Sequence, residues 1–139
     1  MSESPASELR SSCPVAASLD VLGDRWTLVV LRDLVIGGTT HFADFAVDES
    51  IATNTLAERL QRLRDAGIIA RVPDPDDGRR WIYVPRQPAI ELIPVLVDLM
   101  IWGIANTAAD VPPEQVGAAE HRDALIAQIT EQASSRLAA

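Results

Sequence analysis

The chain has 139 residues, 47% of them hydrophobic, and a formal net charge of −8, which supplies one buried core and too little material for two full domains. A single cysteine excludes an internal disulfide, and no run of about 18 uncharged apolar residues marks a membrane span. The opening MSESPASELR lacks the basic-then-apolar order of a secretory signal, so a cytoplasmic protein without membrane contact is expected.

All 12 basic residues are arginine, and their placement matters more than the total. Residues 1–53 carry −5, residues 54–86 carry +2, and residues 87–139 carry −5. Only the middle segment is net positive, and it is the part of the chain suited to meet a polyanion.

Residues 1–12, rich in Ser, Glu and Ala, read as a disordered arm. CPVAASLDVLG then has the marks of a short helix, with Pro14 at the first helical position and Gly23 just past the end. DRWTLVVLRDLVIGG follows, with Asp24 as the expected N-cap. Its surface is nearly all apolar, through Trp26, Leu28, Val29, Val30, Leu31, Leu34 and Val35, which places this helix at the centre of the domain. The Arg32 and Asp33 pair within it reads as structural.

TTH could add a very short strand. FADFAV then places Phe42, Phe45 and Ala46 at helical spacing, and DES offers a turn with a choice of N-caps. IATNTLAERLQRLRDAGII forms the next helix. At 100° per residue Leu56, Leu60 and Leu63 share one face, while Asn54, Glu58, Gln61 and Asp65 point away from it. Gly67 ends the helix.

IIARV and RRWIYV, joined by PDPDDG, read as a β-hairpin, with Gly78 supplying a positive φ before the second strand. Its tip carries Arg79 and Arg80 beside Asp74, Asp76 and Asp77. From Gln87 a long apolar helix follows, and Pro94 either kinks it or marks its effective start. Its apolar surface exceeds what one small domain can cover, as expected of a face that meets a partner. A final amphipathic helix is predicted from Val116 to Leu137, with Ala124, Leu125, Ile129 and Ala133 on its apolar side.

The fold class predicted is mainly α (α+β): a winged helix-turn-helix with N- and C-terminal dimerisation helices. The domain proper spans residues 13–110, and residues 111–139 form a C-terminal helical extension that contributes to dimerisation. In a winged helix-turn-helix the second helix enters the major groove of double-stranded DNA and the hairpin wing reaches the neighbouring backbone.

CPVAASLDVLGDRWTLVVLRDLVIGG, HFADF, IATNTLAERLQRLRDAGII and LIPVLVDLMIWG together resemble the HxlR family of bacterial winged-helix transcription regulators. The resemblance runs from about Cys13 to Gly103. It implies a homodimer that binds operator DNA, and a sensor of oxidants or electrophiles at the position of Cys13. Many members carry Ser where this chain has Ala52, so the resemblance passes the capping and phosphate-contacting role to Ser50 or Thr53. Many also lack the three wing aspartates.

The candidate DNA-contacting residues are therefore Ser50, Thr53, Asn54, Thr55, Arg59, Arg62, Arg79 and Arg80. Asn pairs bidentately with adenine and Thr meets a thymine methyl or a phosphate, so the first turn of the helix carries the base-reading candidates. Arg62, Arg79 and Arg80 suit phosphates; Arg59 suits either DNA or an internal ion pair. Cys13 sits at a helix N-terminus, where the dipole favours its thiolate. The expected dimer interface takes Val15 and Leu19 from the first helix and Leu96, Leu99, Met100, Trp102, Leu125 and Ile129 from the last two.

No cofactor and no metal site is expected: His41 and His121 lie far apart, with no further ligand at metal-binding spacing. No phosphate loop, nucleophile elbow or carboxylate pair argues for an enzyme. The expected function is a repressor on a near-palindromic operator, released by a signal at Cys13 or by a small-molecule effector. The alternative is a winged-helix module whose acidic surface docks another protein and never touches DNA.

Overall fold

The structure is a computed structural model that describes residues 12–138, so the predicted N-terminal arm lies almost wholly outside the described residues. The order of elements is α1 (Pro14–Leu22), α2 (Thr27–Val35), a 3-10 turn (Phe42–Asp44), α3 (Thr53–Asp65), β1 (Ile69–Pro73), β2 (Trp81–Pro85), α4 (Gln87–Glu91), α5 (Ile93–Asn106), a second 3-10 turn (Pro113–Gln115) and α6 (Arg122–Ser134).

The centre is α2, as its apolar surface predicts. Val30, Leu31, Leu34 and Val35 have almost no solvent contact, and Leu56, Leu60 and Leu63 of α3 close over them together with Ile69, Tyr83, Ile93 and Val97. Burying one such side chain stabilises the fold by about 1.5–3 kcal/mol. The opposite face of α3 has no such apolar cover among the described residues and carries the polar residues outward.

Asp24 caps α2 from outside the helix. Its Oδ1 accepts from the amides of Trp26 (2.8 Å) and Thr27 (3.0 Å), and its Oδ2 accepts from the Thr27 hydroxyl. At the C-terminal end of α3, Gly67 adopts φ +75°, so the Ile68 amide reaches back to the Leu63 carbonyl (3.0 Å) and the Gly67 amide to that of Arg64 (3.0 Å). A side chain at Gly67 would be strained in that conformation.

β1 and β2 pair antiparallel in the register Ile69↔Pro85 to Pro73↔Trp81 and form the two-stranded wing. TTH adds no strand; its one sheet-like contact is the Thr40 carbonyl, which accepts from the Tyr83 amide at 2.9 Å. FADFAV closes as a single 3-10 turn rather than a helix, because Phe45 and the Ala46 amide are drawn inward, the ring against Tyr83 and the amide onto Asp33 Oδ2 at 2.7 Å.

Gly78 does not adopt the positive φ expected of it. The hairpin loop is shaped instead by two carboxylates that accept from the amide two residues on, Asp74 from Asp76 (2.9 Å) and Asp77 from Arg79 (3.1 Å).

Pro94 marks the effective start of a new helix: α4 ends at Glu91 and α5 begins at Ile93 with Pro94 in its first turn. Taken together, Gln87–Asn106 has the length and apolar character of a membrane span, yet Ala89, Ile90, Ile93, Leu96 and Val97 are packed inside the domain.

The last helix begins at Arg122 rather than Val116, after turns that include Gly117 at φ +81°. It buries Ile129 and Ala133 against the core, but leaves Ala124 exposed. The C-terminal extension, α6 and the residues that follow it, is fastened to the rest of the domain. Arg122 grips Asp98 of α5 (2.8 Å), Arg136 donates to the Leu34 carbonyl (2.8 Å), and the Ala138 amide donates to the Pro85 carbonyl (2.8 Å).

Candidate nucleic-acid interface

The first turn of α3 is presented outward. Thr53 and Asn54 are exposed and Thr55 is half-buried, while Leu56, next in sequence, is core. The N-cap is Ala52, which offers no side-chain acceptor. Neither Ser50 nor Thr53 takes the capping role. Ser50 lies in the left-handed region at φ +56°, exposed and turned away from that task. The first-turn amides of α3 therefore have no side-chain cap and face outward as donors suited to an anion.

The turn that leads into α3 is held by α2. Arg32 donates to both carboxylate oxygens of Glu49, each at 3.0 Å, and to Asp33 at 2.7 Å, while Asp33 fixes the Ala46 amide. The Arg32 guanidinium holds the Glu49 carboxyl below its usual range. The structural role expected of the Arg32 and Asp33 pair is thus extended to Glu49. The network steadies a turn in which two non-glycine residues, Ala46 and Ser50, have positive φ.

Arg59 does not project from α3. Its Nε donates to Asp24 Oδ1 at 2.9 Å and its guanidinium also meets Glu58, the internal ion pair that was one of the two roles expected of it. Arg62 is exposed but lies 3.7 Å from both Asp24 and Glu58, within a shared cluster of charge. Burial opposes ionisation of Asp24; the hydrogen bonds from Thr27, Arg59 and the Trp26 and Thr27 amides overcome it and hold the carboxyl well below the usual carboxylate range.

On the wing, Arg79 and Arg80 are both exposed, Arg79 almost fully. Two of the three aspartates beside them already have partners, within the loop and at His41. Asp74 is buried, accepting from His41 Nε2 (2.9 Å) and from the Asp76 amide, and Asp77 accepts from Arg79. Asp76 alone of the three has no such side-chain contact among the described residues. Further down the wing Arg71 stacks on the Trp81 ring, 4.5 Å from its centroid.

The His41 and Asp74 contact is the feature sequence reasoning missed. The two residues lie 33 positions apart and no local pattern links them; only the packing of the hairpin against the turn at Phe42 brings them together.

The expected subunit-interface residues divide. Val15, Leu19, Leu99 and Trp102 are at least half exposed, Met100 and Leu125 are half-buried, and Leu96 and Ile129 are core residues of the protomer. Ile129 packs into the core from α6, and Leu96 lines the space between α2 and α5. Between α2 and α5 lies an open cavity of about 290 Å³, walled by Leu28, Val29, Leu99, Met100 and Ile104, with Arg32 on its rim. Cys13 is exposed at the start of α1, and the amides of Ala16 and Val15 draw its thiol pKa down.

Comparison with known proteins fits this geometry. The family model for the HxlR-like helix-turn-helix matches residues 21–110. An uncharacterized HTH-type transcriptional regulator of Mycobacterium tuberculosis, Rv3095, is 35% identical over 89 residues, covering 64% of this chain and 56% of that protein. The chain thus spans little more than half the length of that relative. A second, sll1512 of Synechocystis, is 31% identical over 93 residues, 67% of this chain and 69% of its own. Among solved structures, that of PA1607, a candidate transcription factor, superposes with a TM-score of 0.67 at 35% identity, covering 76% of this chain and 73% of that one. The reduced form of the transcriptional regulator YodB from B. subtilis shares the fold, with a TM-score of 0.56 at 23% identity over 72% of this chain and 100% of that one. A buried leucine stripe under an outward polar turn, a two-stranded wing and a match over most of the chain lead to one assignment: this protein belongs to the HxlR-like helix-turn-helix family.

Proposed function

We propose that the protein is a sequence-specific DNA-binding transcription repressor that acts in the cytoplasm as a homodimer on a near-palindromic operator. The observation that carries this reading is the pairing of an exposed, side-chain-uncapped first turn at Thr53 and Asn54 with an exposed Arg79 and Arg80 on the adjoining wing. Thr53, Asn54 and Thr55 read bases or meet phosphates from the major groove, and Arg79 and Arg80 meet the backbone. Arg62 adds a phosphate contact when DNA displaces it from its carboxylate neighbours, whereas Arg59 orients the helix through Asp24.

The exposed apolar residues Val15, Leu19, Leu99 and Trp102 support a second copy of the chain as partner. Pairing through α1 and α5 sets two reading helices about 34 Å apart, one turn of the duplex. Of the acidic residues in 1–53, Asp24 and Glu49 are paired with arginines, and the −5 of residues 87–139 is screened where it lies beyond about 8 Å from the DNA at physiological salt.

Two inputs fit the architecture. Cys13 is exposed with a lowered thiol pKa, as a sensor of oxidants or electrophiles requires. The cavity between α2 and α5 suits a small apolar effector. Its rim residue Arg32 also holds Glu49 beside the start of the reading helix, so occupancy is felt at the DNA face.

A gel-shift titration against DNA from the protein's own upstream region, at 50 and 200 mM salt, tests the reading. The expected result is a sequence-selective shift that weakens steeply with salt, and an Asn54→Ala variant that loses about 1–3 kcal/mol of preference at one base pair. No shift at either salt would leave the protein-interaction module as the better account.

A further inference from the structure

The loop from Asp74 to Arg80 is a small closed unit. The Asp74 amide donates to the Arg80 carbonyl (2.9 Å), the Arg80 amide to the Asp77 carbonyl (2.9 Å), and the Asp77 amide to the Asp74 carbonyl (3.3 Å). The Asp74 and Asp77 side chains close the two remaining turns. Within this unit the two exposed arginines ride on whatever anchors Asp74.

That anchor is His41. Its Nε2 lies 2.9 Å from Asp74 Oδ2, and its Nδ1 is fixed 3.1 Å from the Thr40 hydroxyl, whose own backbone carbonyl accepts from the Tyr83 amide of β2. Among the described residues, no other hydrogen bond or ion pair joins the Asp74–Arg80 loop to anything outside the hairpin. His41 is also the backbone N-cap residue of the 3-10 turn that precedes α3, so its imidazole ties the wing loop to the segment that leads towards α3. The Asp74 carboxylate is buried and would be costly to leave without a partner.

We infer that His41 is a positioning residue for DNA binding: through Asp74 it locks the wing tip in one pose relative to α3, so that Arg79 and Arg80 reach the phosphate backbone while Thr53 and Asn54 sit in the groove. The inference rests on the DNA-binding reading above. With the lock the two arginines are pre-ordered and lose little freedom on binding; without it the loop must be ordered at the moment of contact. His41 itself need touch no DNA.

The test measures the dependence of log K on log salt concentration for wild type, His41→Ala, His41→Gln, and the Arg79→Ala/Arg80→Ala double variant, all on operator DNA. Removing one phosphate neutralisation lowers the slope by about 0.9, so the double variant is expected to lose up to about 4 across a dimer. His41→Ala is expected to lower the slope in the same direction and to add nothing when combined with the double variant. His41→Gln, which can still donate to Asp74, is expected to restore it. Hydrogen exchange without DNA supplies a second readout: the Asp76 and Arg79 amides exchange faster in His41→Ala while those of α3 do not. If His41→Ala fails to fold, His41→Asn, too short to reach Asp74 but equally polar, takes its place in both measurements. A wild type that binds, with a histidine variant of unchanged slope and unchanged loop exchange, would overturn this inference alone. A wild type with no affinity for DNA would overturn both this inference and the reading beneath it.

Discussion

Arg59 Nε donates to Asp24 Oδ1 at 2.9 Å across 35 positions of sequence, joining the middle of α3 to the turn that caps α2. The same carboxylate holds the Trp26 and Thr27 amides and lies 3.7 Å from Arg62. One aspartate thus caps the central helix and ties α3 to it.

Replacing Asp24 by Ala removes the cap and one of the two carboxylate partners of the partly buried Arg59. The expected cost is about 2–3 kcal/mol, read as a fall in the urea midpoint with an unchanged m-value. Arg59→Ala removes only one of these interactions and should cost less.

The pH dependence of that contribution has a definite sign. The Asp24 carboxyl is held below its usual range in the fold, so its share of stability is full above the unfolded value of about 3.9 and is lost as pH falls through the folded one. Urea midpoints of wild type and Asp24→Asn, measured from pH 7 to pH 2.5, should differ by a constant amount above about pH 5 and converge below about pH 4. A gap that widens on acidification would contradict the assignment.

Trp102 is 59% exposed on the protomer and makes no contribution to its core. Trp102→Glu should therefore leave thermal unfolding of the protomer within about 0.5 kcal/mol of wild type while shifting sedimentation from dimer to monomer. A stable dimer in that variant would move the interface away from α5.

Cys13→Ser should retain operator affinity and lose the response to an added oxidant such as diamide, since the chain holds no second cysteine to take over. Gel shifts with and without the oxidant read both quantities. An equal response in the variant would exclude the thiol.

Some of this was legible residue by residue. The leucine stripe of α3 fixed its buried face, because apolar residues at three- and four-residue spacing can only be covered together. The all-apolar surface of α2 placed it at the centre, and the hairpin followed from β-branched runs around a turn-rich loop. The outward first turn at Thr53 and Asn54 follows from the same stripe. The exposed tip at Arg79 and Arg80 follows from their place in the loop.

What periodicity determined, then, was which face of each element is covered; tertiary structure alone decided which carboxylate meets which cation. Arg59 meets Asp24, 35 positions away, a pairing that no local spacing shows. Leu96 and Ile129 read as surface for a partner, yet both lie in the core of the fold. The sequence places three aspartates beside Arg79 and Arg80, and in the fold Asp74 turns inward to His41 while Asp77 closes the loop. Hydrophobic burial is non-directional and is written into local spacing, whereas hydrogen bonds and ion pairs depend on distances of a few ångströms between segments that only the completed packing brings together.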